Sequence, residues 1–395
     1  MHFFDSRKEL RVPMIVNPVF NLLTNLMLPV LAIYFQSVGI EEQWLGVIFS
    51  FLPLSLILFS PVVGIISDHV GRKRVIYAGA VAETLSVAIY IWLPTIPMII
   101  LARILSGIGW AAFSYILLAK VEDKVKDGER GSYMGLFLAV SYIGLLIGPI
   151  VGAYFADKYS LRMPFILAFF GLIFMIIWLV LWKSHHKPAL KKRDFNPLAT
   201  IGMFMSVRKL RAIAYLGMSM HMRLPVFKIF IPLLVLELGY GVKEVGIVFF
   251  LVNVAHLIQM PAGKVVDKKG SALIIIISVL GASAAYMIAG FAFSLYALIF
   301  ALVLEAVAES FWNVSAVTYM AEIGERNKFE GVVVGSYSSL AKVGHFAFSL
   351  VSGFIAVAFG IRSLFLICAV ASLVVCAVQA RTILEKPVAN VAQSR

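Results

Sequence analysis

Cysteine is nearly absent: Cys368 and Cys376 are the only two in 395 residues. They lie eight positions apart in one apolar run, too far along a helix for a disulfide and without partners for a metal site, which leaves them a packing role. Charge is scarce too, at 14% of residues against 61% hydrophobic. A soluble fold of this length could not hide so much apolar surface, and the mean hydropathy of +0.94 points the same way. Two-residue alternation is missing from the apolar runs, which are roughly twenty residues long, so a membrane β-barrel is excluded. In lipid every backbone amide needs an internal partner, and helices remain. Also missing are H-E-x-x-H, G-x-S-x-G and any phosphate-cradling loop, so neither a membrane hydrolase nor an ATP-driven machine is indicated.

The runs place spans at 13–36, 44–67, 75–93, 97–119, 132–156, 163–182, 210–236, 245–263, 272–292, 295–319, 331–358 and 363–380. The first ten residues are polar, and no small-residue cleavage pattern follows the first run, so it reads as a retained helix rather than a signal peptide. The formal charge of +13 suggests a nucleic-acid partner until it is mapped. Both termini and the even-numbered loops hold most of the 34 Lys and Arg residues, while the odd-numbered loops hold only Lys158, Arg162, Lys243 and Arg362. By the positive-inside rule both termini are expected in the cytoplasm, which an even number of spans requires. Basic character here reports topology, and no nucleic acid is implied.

The chain also repeats. Gly131-Ser-Tyr-Met-Gly135 returns as Gly331-Val-Val-Val-Gly335, and Gly144 returns as Gly344. Gly64-Ile-Ile-Ser-Asp68-His-Val-Gly71 returns as Gly263-Lys-Val-Val-Asp267-Lys-Lys-Gly270. One spacing of about 200 residues accounts for all three matches. It implies an N-terminal six-helix bundle over 1–182, a basic cytoplasmic linker over 183–209 and a C-terminal six-helix bundle over 210–395. Repeated bundles that rock about a midplane site are the general plan of secondary carriers.

Three motifs make the resemblance specific. Gly64 to Arg74 resembles the G-x-x-x-D-x-x-G-R-[KR] loop of the major facilitator superfamily. Arg103-Ile-Leu-Ser-Gly107 in the fourth span is similar to that family's R-x-x-x-G motif, with Ser106 where a glutamine is usual. Gly144-Leu-Leu-Ile-Gly148-Pro149-Ile-Val-Gly152 in the fifth resembles its G-x-x-x-G-P-x-x-G antiporter motif, found mainly in proton-coupled exporters. The resemblance implies an all-α fold of twelve transmembrane helices in two pseudo-repeated bundles. It implies a conformational latch built from Gly64, Asp68, Gly71, Arg72 and Asp123, and proton coupling through Arg103; a structural Arg bonded to carbonyls is the alternative. It also implies a monomer in the cell membrane, driven by the proton gradient with no cofactor or metal.

Polar groups inside spans cost energy and therefore mark candidate sites. Asn17, Asn21 and Asn25 share one face of the first span, which holds no carboxylate. Glu305, Glu309 and Asn313 share a face of the tenth. Two carboxylates one turn apart would titrate as a coupled pair. They serve either as proton carriers or as partners for Arg223, Lys228 or Lys342. In the seventh span His221 and Lys228 fall on one helical face and Arg223 on another. Asn253, His256 and Gln259 form a polar seam in the eighth span, and Ser338, Lys342 and His345 form one in the eleventh. Glu83 in the third span reads as a structural contact. The candidate substrate cavity is therefore Asn17, Asn21, Asn25, His221, Lys228, Asn253, His256, Asn313 and Lys342, with Arg103, Glu305 and Glu309 as proton-coupling residues. The function expected is proton-coupled efflux of small amphipathic molecules, with uptake or facilitated passage of sugars, organic anions or other nutrients as the alternative.

Overall fold

The computed structural model describes residues 8–122, 130–181, 197–327 and 330–385. Among these there is no strand, and twelve helices are long and apolar enough to cross a membrane. They are α1 (Leu10–Ser37), α2 (Glu42–Val70), α3 (Arg72–Trp92), α4 (Ile96–Val121), α5 (Gly135–Lys158), α6 (Met163–Leu181), α7 (Arg208–Glu237), α8 (Val242–Lys269), α9 (Ser271–Gly290), α10 (Leu295–Ile323), α11 (Ser336–Phe359) and α12 (Ile361–Leu384). Every expected span is present. Several run further than the apolar pattern suggests, because the hydrogen-bond ladder continues through charged turns until the backbone is stopped. α2 stops at Gly71 (φ +96°) and α8 at Gly270 (φ +88°), a left-handed conformation that glycine adopts without a Cβ penalty. The same glycine ends the same helix in each half.

Packing follows the repeat. A Cβ at Gly144, Gly148 or Gly152 would strike the α1 backbone or its Asn25 side chain, so these glycines let α5 lie directly on α1. A Cβ at Gly344 would strike Met218, so α11 lies on α7 in the same way. Across the halves, α2 packs on α11 and α5 on α8. A Cβ at Gly46 would meet Gly353 N at 2.9 Å, and one at Gly246 would meet Pro149 O at 3.1 Å. Both contacts lie at the end of the bundle distal to the chain termini. Toward the terminal face, Gly64, Gly135 and Gly263 have open space beside them. Outward-facing Phe174, Phe293 and Phe359 are more than 70% exposed, as lipid-facing side chains are.

The expected linker contains a further helix, Pro197–Ser206, which packs on α7 and α11 through buried Phe204. Both cysteines are free and buried, and Cys368 Sγ lies 3.5 Å from the Met222 carbonyl oxygen.

Candidate substrate cavity between the halves

A cavity of about 460 Å³ lies between the halves, walled by α1–α5 and α7–α10. Asn21, Asn25, Lys228, Asn253, His256 and Asn313 line it, and so do Arg103, Glu305 and Glu309. Asn17, His221 and Lys342 are not among its lining residues.

The asparagine stripe divides. Asn17 donates to the Phe137 carbonyl at 3.2 Å and to the Ser141 hydroxyl, which pins α1 to α5. Asn21 and Asn25 donate back to their own helix, to Asn17 O at 2.9 Å and Asn21 O at 2.7 Å, and show the cavity their remaining polar atoms. On the adjacent wall, a Cβ at Gly107 would meet Ser55 Cβ at 2.6 Å, so this glycine lets α4 approach α2. That approach sets the Arg103 guanidinium 4.4 Å from the Phe49 ring centroid, a cation–π contact. Glu83 stands in the same wall, faced by Ser106 and the Arg103 charge, with Oε2 buried and unbonded among the described residues. Its sequence reading as a structural contact missed this. Glu83 is the only carboxylate or basic side chain in the run 75–92, and the packing of α3 on α4 through Gly79 and Gly109 turns it toward the cavity.

The opposite wall carries most of the ionic groups. Arg223 pairs with Glu305 at 3.9 Å and donates to Ser283 Oγ at 3.2 Å and Met220 Sδ at 2.9 Å. Its guanidinium also lies over the Tyr286 ring at 5.1 Å. Glu309 faces His256 Nε2 at 3.7 Å, an ion pair only while the ring is protonated. His256 Nδ1 lies 3.3 Å from Ser310 Oγ, and Asn253 crosses to the other half by donating to Leu145 O at 3.0 Å. Of the two roles left open for the acidic pair, Glu305 has an arginine partner, whereas Glu309 has a histidine rather than a lysine.

The helical wheel fails at α7, and the backbone shows why. The α-helix ends at His221, a short turn spans Arg223–Pro225, and Val226–Phe230 is π-helical. This break brings Arg223 and Lys228 onto one wall and leaves His221 outside, its Nδ1 2.9 Å from Gly217 O. Lys342 is also outside, held by Ser338 O at 3.1 Å and Ser338 Oγ at 2.6 Å.

In the loop between α2 and α3, Asp68 and Arg72 form an i,i+4 pair at 3.7 Å. Asp123, their expected partner, lies outside the described residues. Gly144, Gly148 and Gly152 form the α5 surface on α1, and the carbonyl of Pro149 reaches α8 at Gly246.

Two six-helix halves around a midplane cavity define a membrane carrier. The sequence profile of the Major Facilitator Superfamily matches residues 15–258 and 210–395, and the chain belongs to that superfamily. It is 27% identical over 357 residues to an uncharacterized MFS-type transporter of Methanocaldococcus jannaschii, covering 88% of this chain and 91% of that one. It is 25% identical over 160 residues, 40% of each chain, to the multi-drug resistance efflux pump PmrA of Streptococcus pneumoniae. Among solved structures, the nucleoside transporter NupG superposes with a TM-score of 0.82 at 12% identity, covering 96% of this chain and 100% of the other. The human organic anion transporter MFSD10 does so with a TM-score of 0.66 at 19% identity, covering 95% and 99%. At those identities the likeness is one of fold.

Proposed function

We propose that the protein exports small amphipathic molecules in exchange for protons by alternating access. The observation that carries this reading is the acidic wall of the cavity. Glu309 faces an imidazole 3.7 Å away, so gain or loss of one proton makes or breaks the pair. Glu305, beside it on α10, is held by Arg223. A transported molecule that competes for either carboxylate would couple its own binding to proton release. The antiporter-type motif of α5 and the partial likeness to an efflux pump support export as the direction.

In this reading the termini are cytoplasmic, as the loop charges indicate, and the bundle is closed at the far side, where α2 meets α11 and α5 meets α8. Asp68 and Arg72 contribute to a latch at the cytoplasmic end. The test is transport in proteoliposomes carrying an internal pH dye, comparing wild type with Glu309→Gln. Substrate-driven proton flux that the variant loses supports antiport. The amide-rich lining of Asn21, Asn25, Asn253 and Asn313 favours one second reading, facilitated passage of a hydrogen-bonding nutrient. Compounds that cross without moving protons would select it.

A further inference from the structure

Of the basic side chains that line the cavity, one has neither a hydrogen bond, an ion pair nor a ring contact among the described residues, whereas Arg103, its Nε buried without a hydrogen-bond partner, still has the Phe49 ring. Arg223 is engaged by Glu305, Ser283 and Met220, and Arg103 rests on Phe49 and faces Glu83. Lys342 is bonded to Ser338 and lies away from the cavity lining. Lys228 lines the cavity and, among the described residues, makes no hydrogen bond and no ion pair. Charges that act on it are Arg103, which repels it, and Glu309, which faces His256.

Its placement is built by the backbone. Lys228 is the middle residue of the π-helical turn Val226–Phe230, and such turns re-aim side chains that a regular helix would hide. The repeat sharpens the point. Gly144 packs on Pro18 and Gly344 on Met218, while Gly39 and Gly239 end the two equivalent spans with φ +91° and +84°. Bracketed on both sides at one spacing, Lys228 occupies the position that Leu28 holds in α1, and Leu28 also lines the cavity. An ammonium stands where the first half has a leucine, inside a membrane-spanning helix, where an unpaired charge is costly to keep. In the same cavity the Asn313 amide has no protein partner among the described residues, and Trp110 and Phe227 supply apolar wall.

We propose that Lys228 is the anchor for an anionic group on the transported molecule, so that the substrate class is the amphipathic organic monoanion, with its apolar body against Trp110 and Phe227. This rests on the reading of the cavity as the transport site. A charge-assisted bond from the ammonium to a carboxylate would supply the partner that the protein does not.

The test uses matched pairs of aryl and alkyl carboxylates with their primary amides and amines, titrated into the purified full-length protein by calorimetry. The expected result is that carboxylates bind wild type at least about tenfold tighter than their amides. Lys228→Gln should bring the carboxylates down to the amide level while leaving amide affinity unchanged, and Lys228→Arg should keep the gap. The proposal is overturned if amides or amines bind wild type as tightly as carboxylates, if Lys228→Gln leaves the gap intact, or if no carboxylate binds. Proton flux in proteoliposomes is read separately, so carboxylates that bind without moving protons would remove antiport and leave the anion site standing.

Discussion

The two halves share a frame and differ in what they place on it. Gly39 and Gly239, Gly71 and Gly270, and Gly144 and Gly344 do the same work at the same positions. Phe165 and Phe365 each pack against a tyrosine of the neighbouring third span of the half, Tyr90 and Tyr286. The cavity walls are not alike. In the N-terminal half the polar groups are asparagines turned back on their own helix and one arginine with Glu83 beside it. In the C-terminal half the wall holds Arg223, Lys228, His256, Glu305 and Glu309, on helices broken at Arg223–Phe230 and His256–Ile258. Gly144 and Gly344, and Gly46 and Gly246, keep their close contacts in both repeats, whereas Gly148 and Gly152 of α5 are matched at that spacing by Phe348 and Ser352 of α11. The cavity residues face open space, where substitution is sterically free, and one half has taken on most of the ionic chemistry.

Variants can break or sharpen this comparison. The largest loss is expected from Arg223→Gln, which strands Glu305 in a buried pair and should cost about 3–5 kcal/mol. The double variant with Glu305→Gln should recover much of that in thermal unfolding, and a double variant no more stable than the single would deny the pairing. Next come Gly144→Leu and Gly344→Leu, whose side chains would drive into α1 and α7. Each should lose about 3 kcal/mol or more, and similarly in both halves. A large difference between the two in melting temperature would break the shared-frame argument. Gly64→Ala, with open space beside it, is the control and should be close to neutral. Asn17→Ala removes the bonds to Phe137 O and Ser141 Oγ of α5 and should cost about 1–2 kcal/mol, and any effect on ligand binding would run through Asn21, whose amide donates to Asn17 Oδ1 at 3.0 Å. The smallest effect is expected from Arg362→Ala, which removes a partly exposed pair with Glu237 at 2.8 Å and should cost under about 1 kcal/mol.

Span number, the two-fold repeat and the glycine motifs were legible in the sequence because each rests on a periodic pattern that local chemistry enforces. The candidate cavity was legible in part. Polar residues within spans stand out against the apolar background, and Asn21, Asn25, Asn253, His256, Glu309 and Asn313 are found in the lining. What sequence periodicity could not supply was the wall each residue faces where the helix is irregular. A regular wheel groups His221 with Lys228, whereas the break after His221 and the π turn group Arg223 with Lys228. Pro225 is the one local signal of that break, since it removes an amide donor from the ladder. The turn of Glu83 toward the cavity depends on how closely α3 meets α4, which is a tertiary fact. Asn17 was misplaced for a similar reason, since a helix-packing asparagine and a cavity asparagine carry the same spacing.

The central claim is that coupling chemistry sits on the C-terminal wall, at Glu309 and its histidine partner. The measurement that bears on it most directly is substrate-driven proton flux in proteoliposomes, for wild type and Glu309→Gln, with substrate affinity measured on the same preparations. The account predicts that the variant still binds substrate and no longer moves protons with it. Proton flux that survives Glu309→Gln at the wild-type rate would contradict the account and move the coupling site elsewhere in the cavity.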